Sequence, residues 1–312
     1  MMQNIEISVV VPMYNESDNV SLFFERVITV LEQLNTHYEI VCVNDGSQDD
    51  TLTYLIQHHQ QNPAIKVLDL SRNFGKEVAL SAGLDYCQGY AVIPIDADLQ
   101  DPPELIHNLV AKWREGYDVV YATRRARQGE TWIKKLTANM FYHAIDQLSE
   151  VPIPKNTGDF RLLDRKVVDA LKLLPERTRF MKGLFAWVGY RQIAIYYDRE
   201  PRSAGVTKWN YWRLWNFALD GITSFSSVPL RVWTYVGLLI SVAALLYALY
   251  IILTVILYGR DAPGYASIMV TLLFVSGLQF VTLGIIGEYL GRIFNEVKQR
   301  PLYLVRQFYT HK

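Results

Sequence analysis

The sequence is poor in cysteine, with Cys42 and Cys87 alone among 312 residues, and it has no excess of either charge, 31 Lys and Arg standing against 31 Asp and Glu. Two cysteines cannot build a disulfide framework, and neither has a metal-ligating neighbour at the usual spacing. A reducing compartment is expected, with both thiols packed in the interior. The flat charge balance excludes a general nucleic-acid binder, which carries a basic surplus. Missing too is a basic segment ahead of an apolar core at the N-terminus, so no signal peptide is expected. Half of the residues are hydrophobic and 13% aromatic, which excludes disorder as the dominant state.

Charge is also missing locally. Val232 to Tyr258 contains no Asp, Glu, Lys or Arg, and neither does Ala262 to Gly287. About 20 apolar residues suffice for a helix to cross a bilayer core, so the two runs read as a transmembrane hairpin with a short loop. Lys208, Arg213 and Arg231 precede it, and Arg292, Lys298, Arg300 and Arg306 follow it. The positive-inside rule then puts the N-terminal part and the C-terminus in the cytoplasm. The expected organisation is a cytosolic domain over residues 1–206, juxtamembrane amphipathic helices over 207–231, the hairpin over 232–291 and a cytosolic tail over 292–312. Expected localisation is the inner (plasma) membrane, multi-pass. Trp209, Trp212 and Trp215 recur every three residues beside Lys208 and Arg213, as in a helix lying at the headgroup level. Thr131 to Leu148, with Trp132, Ile133, Leu136, Met140, Phe141 and Ile145 at helical spacing, is read as a second interfacial helix. Gly287 and Gly291 have the small-residue spacing of packed helices, and with the interfacial helices they point to a homo-oligomer. Glu288 between them is either an interface residue or a cytosolic anchor.

The N-terminal part alternates apolar runs with helical patterns. Strands are expected at Ile5–Pro12, Tyr38–Asn44, Ile65–Leu70, Ala91–Ile95 and Asp118–Ala122. Helices are expected at Asn15–Leu34 with Asn15 as N-cap, from Asp50, over Gly75–Cys87, and from Pro102 to about Glu115. The fold class is therefore α/β, a mostly parallel sheet with helices on both faces, and ligands bind where such strands end.

Polar groups follow every one of the first four strands: Pro12-Met13-Tyr14-Asn15-Glu16, Asn44-Asp45-Gly46-Ser47, Ser71 to Lys76, and Asp96-Ala97-Asp98-Leu99-Gln100-Asp101. Four such loops at one rim call for a polar ligand. Asp96 and Asp98, two residues apart at a strand end, point the same way with roughly 6–7 Å between them. Their oxygens suit a hard cation, Mg²⁺ or Mn²⁺, with positions left for phosphate. Arg72, Asn73 and Lys76 are placed either to touch such a ligand or to cap and solubilise a helix start. Arg124, Arg125 and Arg127 form a phosphate-contacting loop or a solvated turn. His37, His58 and His59 are read as inert surface residues.

The series VVVPMYNE, VNDGSQDDT, SRNFGKEVALSAGL, DADLQDPPE, NTGDFRLLDR and RSAGVTKW resembles membrane-bound inverting glycosyltransferases of the GT-A type. It resembles most closely the polyprenyl-phosphate group, which includes bactoprenol glucosyltransferases and dolichyl-phosphate mannose synthase. The resemblance spans residues 5 to about 210, and the two spans fit the bacterial members. By matching position it implies that Pro12, Tyr14, Glu16 and Asp45 hold the base and ribose of a nucleotide sugar, with Lys76 and Asp96 also on the donor. Asp96, Asp98 and Gln100 would bind the metal and diphosphate, Asp159 would take the catalytic position, and Arg202 and Lys208 would grip the lipid phosphate. A Gln-x-x-Arg-Trp signature of processive synthases is missing, so repeated extension is disfavoured.

The function so implied is transfer of one glucose from UDP-glucose, with inversion, to undecaprenyl phosphate at the cytoplasmic membrane face. GDP-mannose or a UDP-linked modified arabinose are the alternative donors. A silent nucleotide-sugar-binding scaffold that recruits a flippase is the alternative of another class. A homotetramer and a lipid-linked-sugar flippase are the implied partners. A phosphate monoester has its second pKa near 6, so the acceptor oxygen is already deprotonated at neutral pH. Asp159 is accordingly expected to position the substrates and disperse positive charge rather than act as a strong base.

Overall fold

The computed structural model describes residues 5–125, 154, 157–177, 179–198, 228–258 and 264–311. The interfacial-helix expectation at 131–148, that at 207–228 up to residue 227, and the acceptor candidates Arg202 and Lys208 lie outside the described residues.

Strand β1 (Ile7–Met13) is buried along almost its whole length, as a strand covered on both faces must be. Helix α1 (Ser17–Gln33) turns Phe23, Phe24, Val27, Val30 and Leu31 inward, the recurrence of an amphipathic helix. There follow β2 (Tyr38–Asn44), α2 (Thr51–Gln61), β3 (Ile65–Leu70), α3 (Lys76–Tyr86) and β4 (Ala91–Pro94). A 3₁₀ turn at Pro103–Leu105 leads into α4 (Ile106–Arg114), then β5 (Val119–Arg124), β6 (Thr157–Asp164), α5 (Arg165–Lys172), α6 (Met181–Trp187) and β7 (Gln192–Tyr197). Helix α3 lies close over the sheet: a Cβ on Gly83 would sit 2.2 Å from the Val10 side chain. Both cysteines are buried, and burial pushes the Cys42 thiol up, out of reach of ionisation.

The strands form one sheet in the order β7-β5-β6-β4-β1-β2-β3-β8. Pairs β1–β2, β1–β4 and β2–β3 are parallel, so the expected mostly parallel α/β sheet is present. Connections leave β1 toward β2 on one side and reach β4 on the other, which opens a crevice at the carboxyl ends of β1 and β4. Strand β6 enters antiparallel between β4 and β5. Its first residues therefore stand at the rim where β4 ends.

Asn15 differs from its expected role. The helix begins at Ser17 with Glu16 before it, while Asn15 adopts φ +52° and its side chain accepts a hydrogen bond from the Gln48 N–H at 2.8 Å. Asn tolerates this conformation better than most residues, and here its side chain ties two rim loops together. His59 also differs: it is buried, its Nδ1 lies 2.6 Å from the Ile65 carbonyl, and its ring stacks on His311 at 4.3 Å between centroids.

Two long helices follow the sheet, α7 (Val228–Tyr258) and α8 (Tyr265–Val297). Among the described residues one helix, Ser267–Val297, is long and apolar enough to cross a membrane, and none of it is buried within the chain. On α7 the described apolar stretch is shorter, Tyr235–Tyr247. Leu238, Leu245 and Ile256 of α7, and Val270, Phe274 and Phe280 of α8, are exposed, far more contiguous apolar surface than a soluble monomer carries. The last residues are part of the fold rather than a separate tail: β8 (Val305–Tyr309) pairs antiparallel with β3 and becomes the edge of the sheet.

Candidate active site

At the rim of β4 the chain alternates. Asp96, Asp98 and Gln100 are half-buried and face outward, while Ala97, Leu99 and Asp101 are buried. Residues 97–99 form a turn rather than extended chain, so the turn, not the two-residue period of a strand end, produces this alternation. Leu99 holds the turn in a left-handed conformation, φ +55°, uncommon for a side chain of its size. The strain is tolerated because the side chain is fully buried as an anchor, and on its far side the Gln100 N–H donates to Asp98 Oδ1 at 3.2 Å.

Lys76, the first residue of α3, ties the site together. Its Nζ lies 2.7 Å from Asp96 Oδ1 and 2.6 Å from Asp159 Oδ2. Asp159 stands at the third position of β6, so the antiparallel register brings it beside the end of β4. Burial alone would raise the Asp159 carboxyl, but the Lys76 ammonium, with Lys182 and Arg161 behind it, holds it well below the usual carboxylate range. Partial desolvation disfavours the Lys76 charge, and the Asp159 and Asp96 carboxylates outweigh it, keeping the amine well above its ordinary value. The second oxygen of Asp159, Oδ1, is buried and has no hydrogen-bond partner among the described residues. A buried carboxylate oxygen without a donor is costly in a native protein, and this one leaves a position that a ligand atom can take.

Arg161 backs Asp159. Its guanidinium lies 4.0 Å over the Phe185 ring and donates to the Gly158 carbonyl at 2.8 Å, which braces the start of β6 beside Asp159. On the other flank, buried Asp101 accepts from the Tyr197 hydroxyl, and Arg124 donates to that hydroxyl at 3.2 Å while standing 3.7 Å from Asp101. Arg124 is thus held within the protein, not in a solvated turn. Arg161 and Asp101 sat inside motifs legible in the sequence without being singled out. Tyr197 carries no local signal, since only pairing of β7 with β5 brings it here.

The nucleotide-side candidates form a second group. Asp45 is 2% exposed, and its two oxygens accept the Phe74 and Gly75 N–H groups at 2.7 and 2.9 Å. It therefore locks the β2–α2 loop to the β3–α3 loop. Gly46 is required at the same junction: its φ is +66°, and a Cβ there would meet the Arg72 backbone at 2.5 Å. Burial pushes the Asp45 carboxyl up, against the pull of those two N–H groups. Glu16 accepts from the Asn19 amide at 2.7 Å, and its N–H donates to the Thr51 hydroxyl at 2.9 Å. Pro12 and Tyr14 flank the end of β1, both half-buried.

No group of three or more His, Cys, Asp or Glu side chains is arranged to hold a metal among the described residues. Asp98, Asp96 and the Gln100 amide oxygen are hard oxygen donors of the type a magnesium-like ion takes together with substrate phosphates; in this structure both Asp96 oxygens lie on the Lys76 ammonium, at 2.7 and 2.8 Å.

Glu77, next to Lys76, accepts the Met181 N–H at 3.1 Å. Burial pushes its carboxyl up to about 7, Asp159 adding to the rise and Lys76 and Lys182 opposing it. An acid whose pKa is higher folded than unfolded favours folding below its unfolded value of 4.5, and that contribution is lost as pH rises through 7. Glu77→Gln is therefore expected to raise the thermal midpoint at pH 8 relative to the unsubstituted protein, the difference vanishing below pH 4.5. Thermal unfolding in detergent across that range checks it, and equal midpoints at pH 8 would contradict the assignment.

Comparison with known proteins identifies the family. Glycosyl transferase family 2 matches residues 8–172, and the family described as the GtrB C-terminal hairpin matches residues 228–293. An uncharacterized glycosyltransferase of Synechocystis sp. is 67% identical over 301 residues, 96% of this chain and 95% of its own. The uncharacterized glycosyltransferase YkcC of Bacillus subtilis is 45% identical over 309 residues, 99% of this chain and 96% of its own. A prophage-derived bactoprenol glucosyl transferase of Shigella flexneri is 46% identical over 303 residues, 97% of this chain and 98% of its own.

Proposed function

Because this chain belongs to glycosyl transferase family 2 and is a glycosyltransferase, we propose that it moves one glucose from UDP-glucose, with inversion, onto undecaprenyl phosphate at the cytoplasmic membrane face. The observation that carries the reading is the Lys76 ammonium bridging Asp96 and Asp159 at the β4–β6 rim, with Asp159 Oδ1 left for a ligand. The polyprenyl acceptor is supported by the relatives named bactoprenol glucosyl transferase, and the membrane by the exposed apolar surface of α7 and α8.

In this reading the loops after β1 and β2 take the nucleoside, with Pro12, Tyr14 and Glu16 beside it and Asp45 holding their frame. Lys76 lies against the diphosphate. A hard divalent ion held by Asp96, Asp98 and Gln100 would supply neutralisation of charge on the leaving diphosphate. A phosphate oxygen of the acceptor attacks the anomeric carbon in line; the new C–O bond forms as the bond to the nucleoside diphosphate breaks. Asp159, kept ionised by Lys76, has little affinity for a proton and acts as a fixed negative charge beside the oxocarbenium-like carbon. Arg202 and Lys208 are proposed to hold the acceptor phosphate, Arg bidentately and Lys as a point charge.

A second crossing by α7 makes the membrane part a hairpin. Its support is β8: the chain rejoins its own sheet after α8, which calls for an even number of crossings and both ends on one side.

The test incubates the purified protein with undecaprenyl phosphate, Mg²⁺ or Mn²⁺ and each of several radiolabelled nucleotide sugars, and then extracts the lipid. Label is expected in the organic phase from UDP-glucose, and is expected to vanish with EDTA or with Asp98→Ala. Label from GDP-mannose or a UDP-pentose instead would replace the donor. Label from none, with nucleotide bound, would favour the silent scaffold.

A further inference from the structure

The C-terminal strand reaches the donor side of the crevice through a chain of polar contacts centred on the buried Asp69. Pairing of β8 with β3 runs Asp69↔Gln307 and then Leu70↔Val305, so the register slips by one residue and Arg306 is left unpaired at the bulge. Bulges re-aim a side chain. Here the Arg306 guanidinium stands 3.2 Å from Asp69 Oδ2 and donates to the Ser71 carbonyl at 2.9 Å. Asp69 is 2% exposed at its side chain, Arg306 58%. A buried carboxylate needs charge or strong donors, and among the described residues Arg306 is the cation paired with it. The other Asp69 oxygen accepts from the Asn44 amide at 2.7 Å. The Asn44 amide oxygen in turn accepts the Ser47 N–H at 3.3 Å, and the Ser47 hydroxyl accepts the Asn15 N–H at 3.0 Å. Asn44 is the last residue of β2 and immediately precedes Asp45. The relay therefore ends in the two loops assigned to the nucleotide.

We infer that Arg306 is a positioning residue for donor binding: through Asp69 and Asn44 it sets the conformation of the 44–48 turn, so that the strand following the membrane helices completes the nucleotide site. This rests on the functional reading above. Without Arg306 the Asp69 carboxylate is left buried against one neutral amide, and Asn44 loses its fixed orientation.

The test uses the full-length protein in detergent or nanodiscs, with UDP as a calorimetric probe and UDP-glucose in the transfer assay. Arg306→Met is expected to weaken UDP binding and raise the KM for UDP-glucose by about tenfold, the loss of one charge-assisted contact to a buried group. The KM for undecaprenyl phosphate and kcat should stay within about twofold, because the relay ends in the 44–48 turn and includes neither Lys76 nor Asp159. Arg306→Lys should restore most of the affinity. So should Asp69→Asn added to Arg306→Met, since the buried charge is gone. Tyr303→Phe, which removes another tie of the same segment, the Tyr303 hydroxyl on Asp85 at 2.7 Å, should leave UDP affinity unchanged. UDP binding by Arg306→Met equal to that of the unsubstituted protein would overturn the inference, as would equal losses for donor and acceptor or an equal loss in Tyr303→Phe. Absence of UDP binding by the unsubstituted protein would instead overturn the functional reading and this inference with it.

Discussion

Asp159→Asn is expected to lower kcat for sugar transfer by about 10³-fold, the scale of removing a preorganised electrostatic group from a water-poor site, with no recovery at high pH. The substitution keeps the shape of the side chain but removes the charge that Lys76 holds in place at 2.6 Å. If Asp159 were an essential proton acceptor, activity of the unsubstituted enzyme would fall as the carboxyl titrates and raised pH would rescue the Asn variant by deprotonating the acceptor. The structure gives the opposite setting: the ammonium beside it keeps Asp159 well below the ordinary carboxylate range, so it is ionised throughout any working pH. A pH–rate profile of Asp159→Asn from 6 to 9.5 checks this, and activity regained at the alkaline end would contradict a purely electrostatic role.

Lys76→Met should have the second-largest effect, a fall in kcat/KM of about 10²-fold or more, because the charge facing the diphosphate and the charge pinning Asp159 are lost together. Asp96 and Asp159 then share a rim without the ammonium that bridges them, leaving Lys182 and Arg161 behind Asp159, and the Asp159 pKa rises. In the unsubstituted protein a depressed folded pKa means stability that is present above the unfolded value near 3.8 and lost as pH falls through the folded one. In Lys76→Met that contribution disappears at neutral pH. Breaking a fully buried pair costs about 3–5 kcal/mol. Lys76 is 42% exposed, so solvent screening reduces the expected loss to about 2 kcal/mol. Lys76→Met with Asp159→Asn should regain most of the lost thermal midpoint while remaining inactive. Non-additivity of that kind, measured as a double-mutant cycle by thermal unfolding, identifies the direct pair. Additive losses would mean that the two residues act separately.

The parallel half of the sheet and the loops that line it were legible in the sequence. Buried strands such as VVVP and IVCV read as continuous apolar runs, and the helices between them carry an amphipathic period, so β1 to β4 fall within a residue or two of where the pattern puts them. Asp96, Asp98 and Gln100 do face outward as expected, but a turn at 97–99 with Leu99 in the left-handed region produces this, not the extended chain on which the expectation rested. Asn15 was misread as a cap because an Asn before a helix serves equally well as a loop tie, and only the nearness of Gln48 separates the two uses.

Long-range pairing lay beyond what local pattern contains. Composition and periodicity by themselves determined an α/β sheet, a polar rim at its carboxyl edge and long uncharged helices after it. The tertiary structure decided that β6 and β8 enter antiparallel, one beside β4 and one beside β3. An antiparallel strand delivers its first residues to the edge where parallel strands deliver their last. That is why Asp159 meets Lys76 and Asp96, and why Arg306 reaches Asp69 although two long helices separate β8 from the rest of the sheet in the chain. Such encounters join residues dozens to hundreds of positions apart, and they are fixed by sheet order and register, which no stretch of neighbouring residues encodes.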